Sequence, residues 1–71
     1  MRITASARKR GVTDADILHP IDHFVRTFDG GEVLMVIGPA RNGAMLEVGV
    51  VQDDADPRTI HAMPARRKFW P

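Results

Sequence analysis

The chain has 71 residues, of which 44% are apolar, and a formal net charge of +1. This length suits one small domain, residues 1–71, and excludes two. Because the chain contains no cysteine, neither disulfides nor a thiolate metal site can strengthen its thin core, and burial against a partner or a second copy, as a homodimer, is expected. No apolar stretch reaches the roughly 20 residues of a membrane helix and no signal-peptide pattern is visible, so we expect a cytoplasmic protein without membrane contact.

The charges are unevenly distributed along the chain. Residues 1–10 and 58–71 each carry four cations and no acid, whereas residues 11–57 carry two cations and nine acids. Two basic ends around an acidic middle suit a polyanion if the ends meet in space. The alternative is solubilising charge on flexible termini.

The first third of the chain has the pattern of two helices. Residues 4–10 predict a short helix that Gly11 ends. Thr13 has the features of an N-cap for a second helix over residues 14–26, whose apolar spacing indicates a face packed on a sheet. Pro20 lies inside this stretch and predicts either a kink near residues 18–20 or two short helices.

The rest of the chain has the pattern of strands. A strand begins near residues 27–28, and residues 29–32 predict a tight turn. The continuous apolar run 33–37 indicates a strand covered on both faces or a central one. Residues 44–63 predict a hairpin with strands over 44–51 and 59–63. The expected fold class is therefore α+β, with two N-terminal helices packed on one face of a three- to four-stranded antiparallel sheet and the other face open to hold a site.

The hairpin contains two ionisable side chains in apolar strands. If the turn is centred near residue 55, Gly49 lies opposite His61 and Glu47 lies opposite Met63. Glu47 and His61 are then diagonal neighbours on one face, within side-chain reach. A slip of one residue in the register separates them. The pair is either a functional site or an ordinary salt bridge on a half-exposed sheet.

Three segments together resemble a known group of proteins. Residues 8–17 (RKRGVTDADI), 36–48 (VIGPARNGAMLEV) and 60–67 (IHAMPARR) are similar to segments of BrnT-like and related short toxin domains of the RelE/ParE-like superfamily. The resemblance extends roughly from residue 7 to residue 68. The chain has no tyrosine, although a tyrosine serves in several RNases of that superfamily.

The resemblance implies the toxin half of a bacterial toxin–antitoxin pair. Its usual activity is metal-independent RNA cleavage or inhibition of translation, without a cofactor, and its partners are RNA or the ribosome and a cognate antitoxin that covers the site. A non-catalytic module that binds protein or nucleic acid on the same scaffold is the alternative.

RNA cleavage without a metal requires a base, an acid and cations that stabilise the phosphate. Either Glu47 or His61 is the predicted base and the other the acid. The phosphate clamp is Arg66, Arg67 or Lys68, with Arg41 or Arg8 as a second cation, and Arg66 is counted with the catalytic residues, since a guanidinium makes paired contacts with phosphate oxygens. The predicted RNA-binding residues are cations of the two basic ends together with Arg41. They are Arg8, Lys9, Arg10, Arg41, Arg67 and Lys68.

Two further features have competing interpretations. His19 and His23 have the i, i+4 spacing of metal ligands on a helix, but Pro20 lies between them and the glutamate of H-E-x-x-H is missing. We therefore expect surface histidines and no metal site. Trp70 completes the core, stabilises a dimer or stacks on a base, in that order of expectation.

Overall fold

A computed structural model describes residues 1–70 of the protein; Pro71, the last residue of the predicted tail, lies outside this range. Its elements are β1 Arg2–Ile3, α1 Ala5–Arg8, α2 Asp14–Asp22, β2 Arg26–Asp29, β3 Val33–Pro39, β4 Met45–Val51, β5 Arg58–Pro64 and a 3₁₀ turn Arg67–Phe69. No helix within residues 1–70 is long and apolar enough to cross a membrane.

The five strands form one mixed sheet in the order β1-β5-β4-β3-β2. β1 pairs with β5 in parallel, and the other pairs are antiparallel. The expected fold class, two helices on a three- to four-stranded antiparallel sheet, is therefore wrong. Strands dominate residues 1–70, and only α2 is longer than a single helical turn. The missed strand β1 has two residues, which is too short to show a period-2 pattern.

The helices are shorter than predicted. α1 is four residues long, and its N-cap Thr4 accepts a hydrogen bond from the Ala7 backbone. Thr13 caps α2 as predicted, but the helix runs through Pro20 and ends at Asp22. The four residues beyond it were predicted to be helical because Phe24 and Val25 continue the apolar spacing, yet both are more than half exposed.

The register of the central hairpin is as predicted. Gly49 pairs with His61 and Glu47 with Met63, and a bulge follows at Gly49/Val50, where Val50 pairs with Thr59. The bulge leaves one extra residue in β5, as expected for two residues opposing one.

One sheet face packs on the helices to form the core. Ala7 of α1 and Ile17 of α2 are fully buried against it. The sheet contributes Val36, Leu46, Val48, Val50 and Ala62. The opposite face, expected to be open, is partly covered. The C-terminal segment crosses its middle, where Ile37 and Glu47 are both 0% exposed, whereas Val33, Met35 and Met63 on the same face are half-buried.

Candidate functional site

Glu47, His61 and Arg66 meet in one hydrogen-bonded cluster on the second sheet face. Alternation along β4 directs Glu47 to the face away from the helices, and the pairing Gly49/His61 brings His61 onto the same face. Arg66 lies two residues after the end of β5. The structure thus brings together all three predicted catalytic residues.

The Glu47 carboxylate is fully occupied by donors of the protein itself. Its Oε1 accepts from the Arg66 backbone N–H at 2.8 Å and from Arg66 Nε at 3.0 Å. Its Oε2 accepts from Arg66 Nη2 at 2.9 Å and lies 2.9 Å from His61 Nε2. A carboxylate offers about four acceptor positions, so none remains for a ligand.

This environment fixes the charge of Glu47. Burial alone would raise its pKa, but hydrogen bonds from the side chain and backbone of Arg66, and then from His61, outweigh burial and lower the pKa from 4.5 to about 2. A carboxylate that holds its proton so weakly and lies 0% exposed is a poor general base. Its geometry suits a positioning role for the two side chains that contact it.

Solvent reaches the His61 imidazole, in contrast to the Glu47 carboxylate. Its side chain is 31% exposed. Because the Glu47 carboxylate is ionised, His61 Nε2 must carry the hydrogen of their contact, and in the neutral imidazole Nδ1 is then the free acceptor. One proton-transfer group is therefore available, where the predicted acid–base pair required two.

The segment after β5, residues 65–70, is docked on the sheet and is not a free tail. We call it the docked segment. Arg66 anchors it on Glu47, and the Phe69 ring lies 5.3 Å from the Phe28 ring of β2. The Arg66 guanidinium and the Lys68 ammonium lie 5.2 and 5.0 Å from the Phe69 ring centroid. These contacts combine aromatic packing with cation–π attraction. They hold the segment over the middle of the second sheet face.

Two of the predicted RNA-binding residues form ion pairs with the first turn of α2. Arg8 makes a two-pronged contact with Asp14 at 2.8 and 2.9 Å. Arg41 donates from Nε to Asp16 at 2.8 Å and from its backbone N–H at 3.2 Å. Each pair lowers the pKa of its carboxyl group, that of Asp16 to about 2. The pairs also join residue 8 to the β3–β4 turn through α2.

The basic segments converge on one end of the sheet. Leu46 pairs with Pro64, and the Ala65 N–H donates to the Met45 carbonyl, so the β3–β4 turn and the start of the docked segment are neighbours. We define the basic end as Arg8, Lys9, Arg10, Arg41, Arg66, Arg67 and Lys68. Three of these seven cations pair with carboxylates: Arg8 with Asp14, Arg41 with Asp16 and Arg66 with Glu47. Lys9, Arg10, Arg67 and Lys68 form no ion pair with any residue of the range 1–70.

The other end of the sheet is acidic. The Gln52 N–H donates to the Glu32 carbonyl, which joins the β2–β3 and β4–β5 turns. We define the acidic end as Asp29, Glu32, Asp53, Asp54 and Asp56. Arg2 and Arg58 partly neutralise it through Asp53 and Asp56. The basic and acidic segments of the sequence thus lie at opposite ends of the folded sheet.

His19 and His23, at the end of α2, contact each other and the backbone of β3. The His19 and His23 rings stack at 4.3 Å, and His19 Nδ1 lies 2.7 Å from the Pro39 carbonyl. Within the described part of the chain, no group of three His, Cys, Asp or Glu side chains is placed to hold a metal ion.

Sequence reasoning missed three contributors to this region. Phe28 was predicted as the beginning of a strand, but its ring is the surface on which Phe69 docks. Asp14 and Asp16 lie in the first turn of α2, and their pairing with Arg8 and Arg41 was not predicted. The only signal in the sequence was the presence of acids at positions 14 and 16 and of arginines at positions 8 and 41. Opposite charges of this kind are too common to be specific.

Comparisons with protein families, with curated proteins and with solved structures found no match.

Proposed function

We propose that the protein binds RNA through its basic end and acts as the toxin component of a bacterial toxin–antitoxin pair that inhibits translation in the cytoplasm. One observation carries the proposal: cations from both chain termini and from the β3–β4 turn gather at one end of the sheet. Such a surface attracts a polyanion and releases its counterions on binding. The resemblance of residues 7–68 to BrnT-like toxins supplies the biological role.

Inhibition of translation is favoured over acid–base cleavage because Glu47 is a poor base. Its carboxylate is buried, ionised and fully hydrogen-bonded. The direct test is to induce the protein alone in bacteria while following growth, amino-acid incorporation and RNA integrity. We expect growth arrest and reduced incorporation. Normal growth at a verified level of folded protein contradicts the proposal.

A matched pair of variants links the growth effect to the basic end. Lys9→Ala with Arg10→Ala removes two cations from that end, and Arg2→Ala with Arg58→Ala removes two from the acidic end. The first variant should relieve growth arrest and the second should not. Equal relief by both would show that net charge matters instead of position.

Metal-independent RNA cleavage is the second candidate, and the contact of His61 with Glu47 at 2.9 Å favours it. In that case His61 takes the proton of the 2′-hydroxyl as that oxygen attacks the phosphorus, and gives it to the leaving 5′-oxygen. Glu47 positions the His61 ring, and Arg66 presents its unused Nη1 to the phosphate. His61→Ala should then reduce cleavage by about 10²- to 10⁴-fold while RNA binding is retained. RNA that stays intact with the native protein, at a concentration that saturates binding, rules this candidate out.

A cognate antitoxin is the proposed protein partner, and it should present acidic residues to the basic end. The product of the neighbouring reading frame is the first protein to test. Its co-expression should restore growth and should compete with RNA for the purified protein. The expected homodimer stays a prediction, and sedimentation equilibrium measures it.

A further inference from the structure

The docked segment forms an open notch beside the sheet. Ala65, Arg67 and Trp70 line a cavity of about 530 Å³. Trp70 is 52% exposed. It therefore does not complete the core, which was the first of the three roles expected for it. Within residues 1–70, every residue that lines the notch follows β5.

Trp70 is held in place although it is exposed. Its Nε1–H donates to the Ala65 carbonyl at 2.9 Å, and its backbone N–H donates to the Arg67 carbonyl at 3.1 Å. Residues three apart eclipse each other in a 3₁₀ turn, which places the Arg67 side chain on the same side as the indole. An oriented aromatic face and a cation therefore meet in one notch.

The chemistry of this notch suits an unpaired nucleobase and its phosphate. With its N–H already bonded, the indole offers a ligand only its ring face, and every nucleobase can stack on such a face. Arg67 makes no ion pair within residues 1–70, and its planar guanidinium suits phosphate oxygens. No acid among residues 1–70 lines the cavity, so no side chain in this range repels an RNA backbone there.

We infer that the Ala65–Arg67–Trp70 notch is a subsite for a single-stranded nucleotide, with the base stacked on Trp70 and the phosphate bound by Arg67. This inference rests on the proposed function and specifies which part of an RNA the protein recognises. It predicts a preference for unpaired over duplex RNA, because a paired base does not expose its ring face.

Trp70 is the only tryptophan of the chain, so its fluorescence reports directly on the notch. The native full-length protein is titrated with single-stranded oligoadenylate, with duplex RNA and with inorganic polyphosphate. We expect quenching by oligoadenylate and much weaker quenching by the other two. Equal quenching by polyphosphate would overturn the inference, because it would show an anion site without base stacking.

Variants separate stacking from a general loss of structure. Trp70→Ala should weaken oligoadenylate binding by roughly 5- to 150-fold, the range measured for removal of a base-stacking aromatic, and Trp70→Phe should fall between it and the native protein. Phe24→Ala is the matched control, since Phe24 is 56% exposed and does not line the notch; it should leave the affinity unchanged. The unfolding midpoint of each variant shows that it is folded.

The outcomes distinguish this inference from the proposed function. If oligoadenylate binds with unchanged Trp70 emission and with equal affinity for Trp70→Ala, the subsite is wrong and RNA binding stands. A protein partner is then the expected ligand of the notch. If the native protein binds no RNA at all, both proposals fail.

Discussion

Glu47 illustrates how burial and hydrogen bonding together determine what a carboxylate does. An acid on an otherwise apolar strand face suggests either a reactive group or an ion pair. In this fold the side chain receives donors at both oxygens and has no contact with solvent. A buried charge with all its acceptor sites satisfied stabilises a structure only as long as its partners are present.

Glu47→Gln tests how far the fold depends on this charge. The amide keeps the shape but replaces an acceptor oxygen with an NH₂ group that faces the donors of Arg66 or His61. We expect the free energy of unfolding to fall by about 2–4 kcal/mol, the combined effect of weakened charged hydrogen bonds and a mispaired buried polar group. Urea denaturation measures it.

Glu32→Gln is the control for this substitution. It makes the same chemical change at an exposed position of the β2–β3 turn and should alter the free energy by less than about 0.5 kcal/mol. Equal effects of the two substitutions would contradict a structural role for Glu47.

Gly38 gives a second prediction, based on close approach of backbone atoms. A Cβ at this position would lie 2.9 Å from both the Cβ and the carbonyl oxygen of Pro20, and 3.0 Å from the Cα of Phe24. Because two of these three atoms belong to the backbone, α2 cannot move aside locally. Gly38→Ala should therefore lower the free energy of unfolding by about 1–3 kcal/mol, as overpacking does.

Gly49→Ala is a useful comparison on the neighbouring strand. Its nearest contact would be the His61 Cβ at 3.1 Å, followed by side-chain atoms at 3.5 Å or more, so the expected loss is smaller. A Gly38→Ala variant as stable as the native protein would show that α2 does not pack on β3 this closely.

At the scale of elements, the docked C-terminal segment depends on the ionised state of Glu47. The folded protein lowers its pKa from 4.5 to about 2, so protonation favours the unfolded or undocked chain. The stabilisation is complete above pH 4.5 and is lost as the pH falls toward about 2. Asp16, whose pKa Arg41 lowers to about 2, adds to the loss in the same window.

An acid titration with two probes tests this dependence. Trp70 emission follows undocking of the segment, and denaturation at each pH gives the free energy of unfolding. Both should change between pH 4.5 and about 2, and the change should be smaller in Glu47→Gln, which has no proton to bind at that position. A constant free energy of unfolding across this window would contradict the assignment.

The elements also show which parts of the fold sequence reasoning can find. The hairpin register followed from alternation and turn position, because each shift of one residue exchanges the faces of a strand, and Gly49 does pair with His61. β1 could not be found in this way, since its two residues acquire strand geometry only by pairing with β5. The covered second face also depends on a tertiary contact, Phe69 with Phe28, which has no local pattern.

The candidate site was predictable to the same extent. Register alone placed Glu47 and His61 on one face, and Arg66 was suggested as a cation for phosphate binding. The burial that removes Glu47 as a base was not predictable, because it requires the docked segment to cover the carboxylate.

At the scale of the whole molecule, the protein is an electric dipole built along its strands. A seven-residue strand such as β4 is about 20 Å long, so the basic and acidic ends are separated by roughly twice the Debye length at physiological salt. A polyanion that approaches the basic end is therefore attracted there with little opposition from the acidic end, even though the net charge is only +1.

This separation predicts the salt dependence of RNA binding. A cation that neutralises one phosphate of single-stranded RNA contributes about 0.7 to the slope of log affinity against log salt. Lys9→Ala with Arg10→Ala should therefore reduce the slope by about 1.4, whereas Arg2→Ala with Arg58→Ala should leave it unchanged although the change in net charge is the same. Fluorescence anisotropy of labelled oligoadenylate over a series of salt concentrations measures both slopes. If the two double variants reduced the slope equally, RNA would be responding to the net charge of the protein, and the convergence of the basic segments on one end of the sheet would have no role in binding.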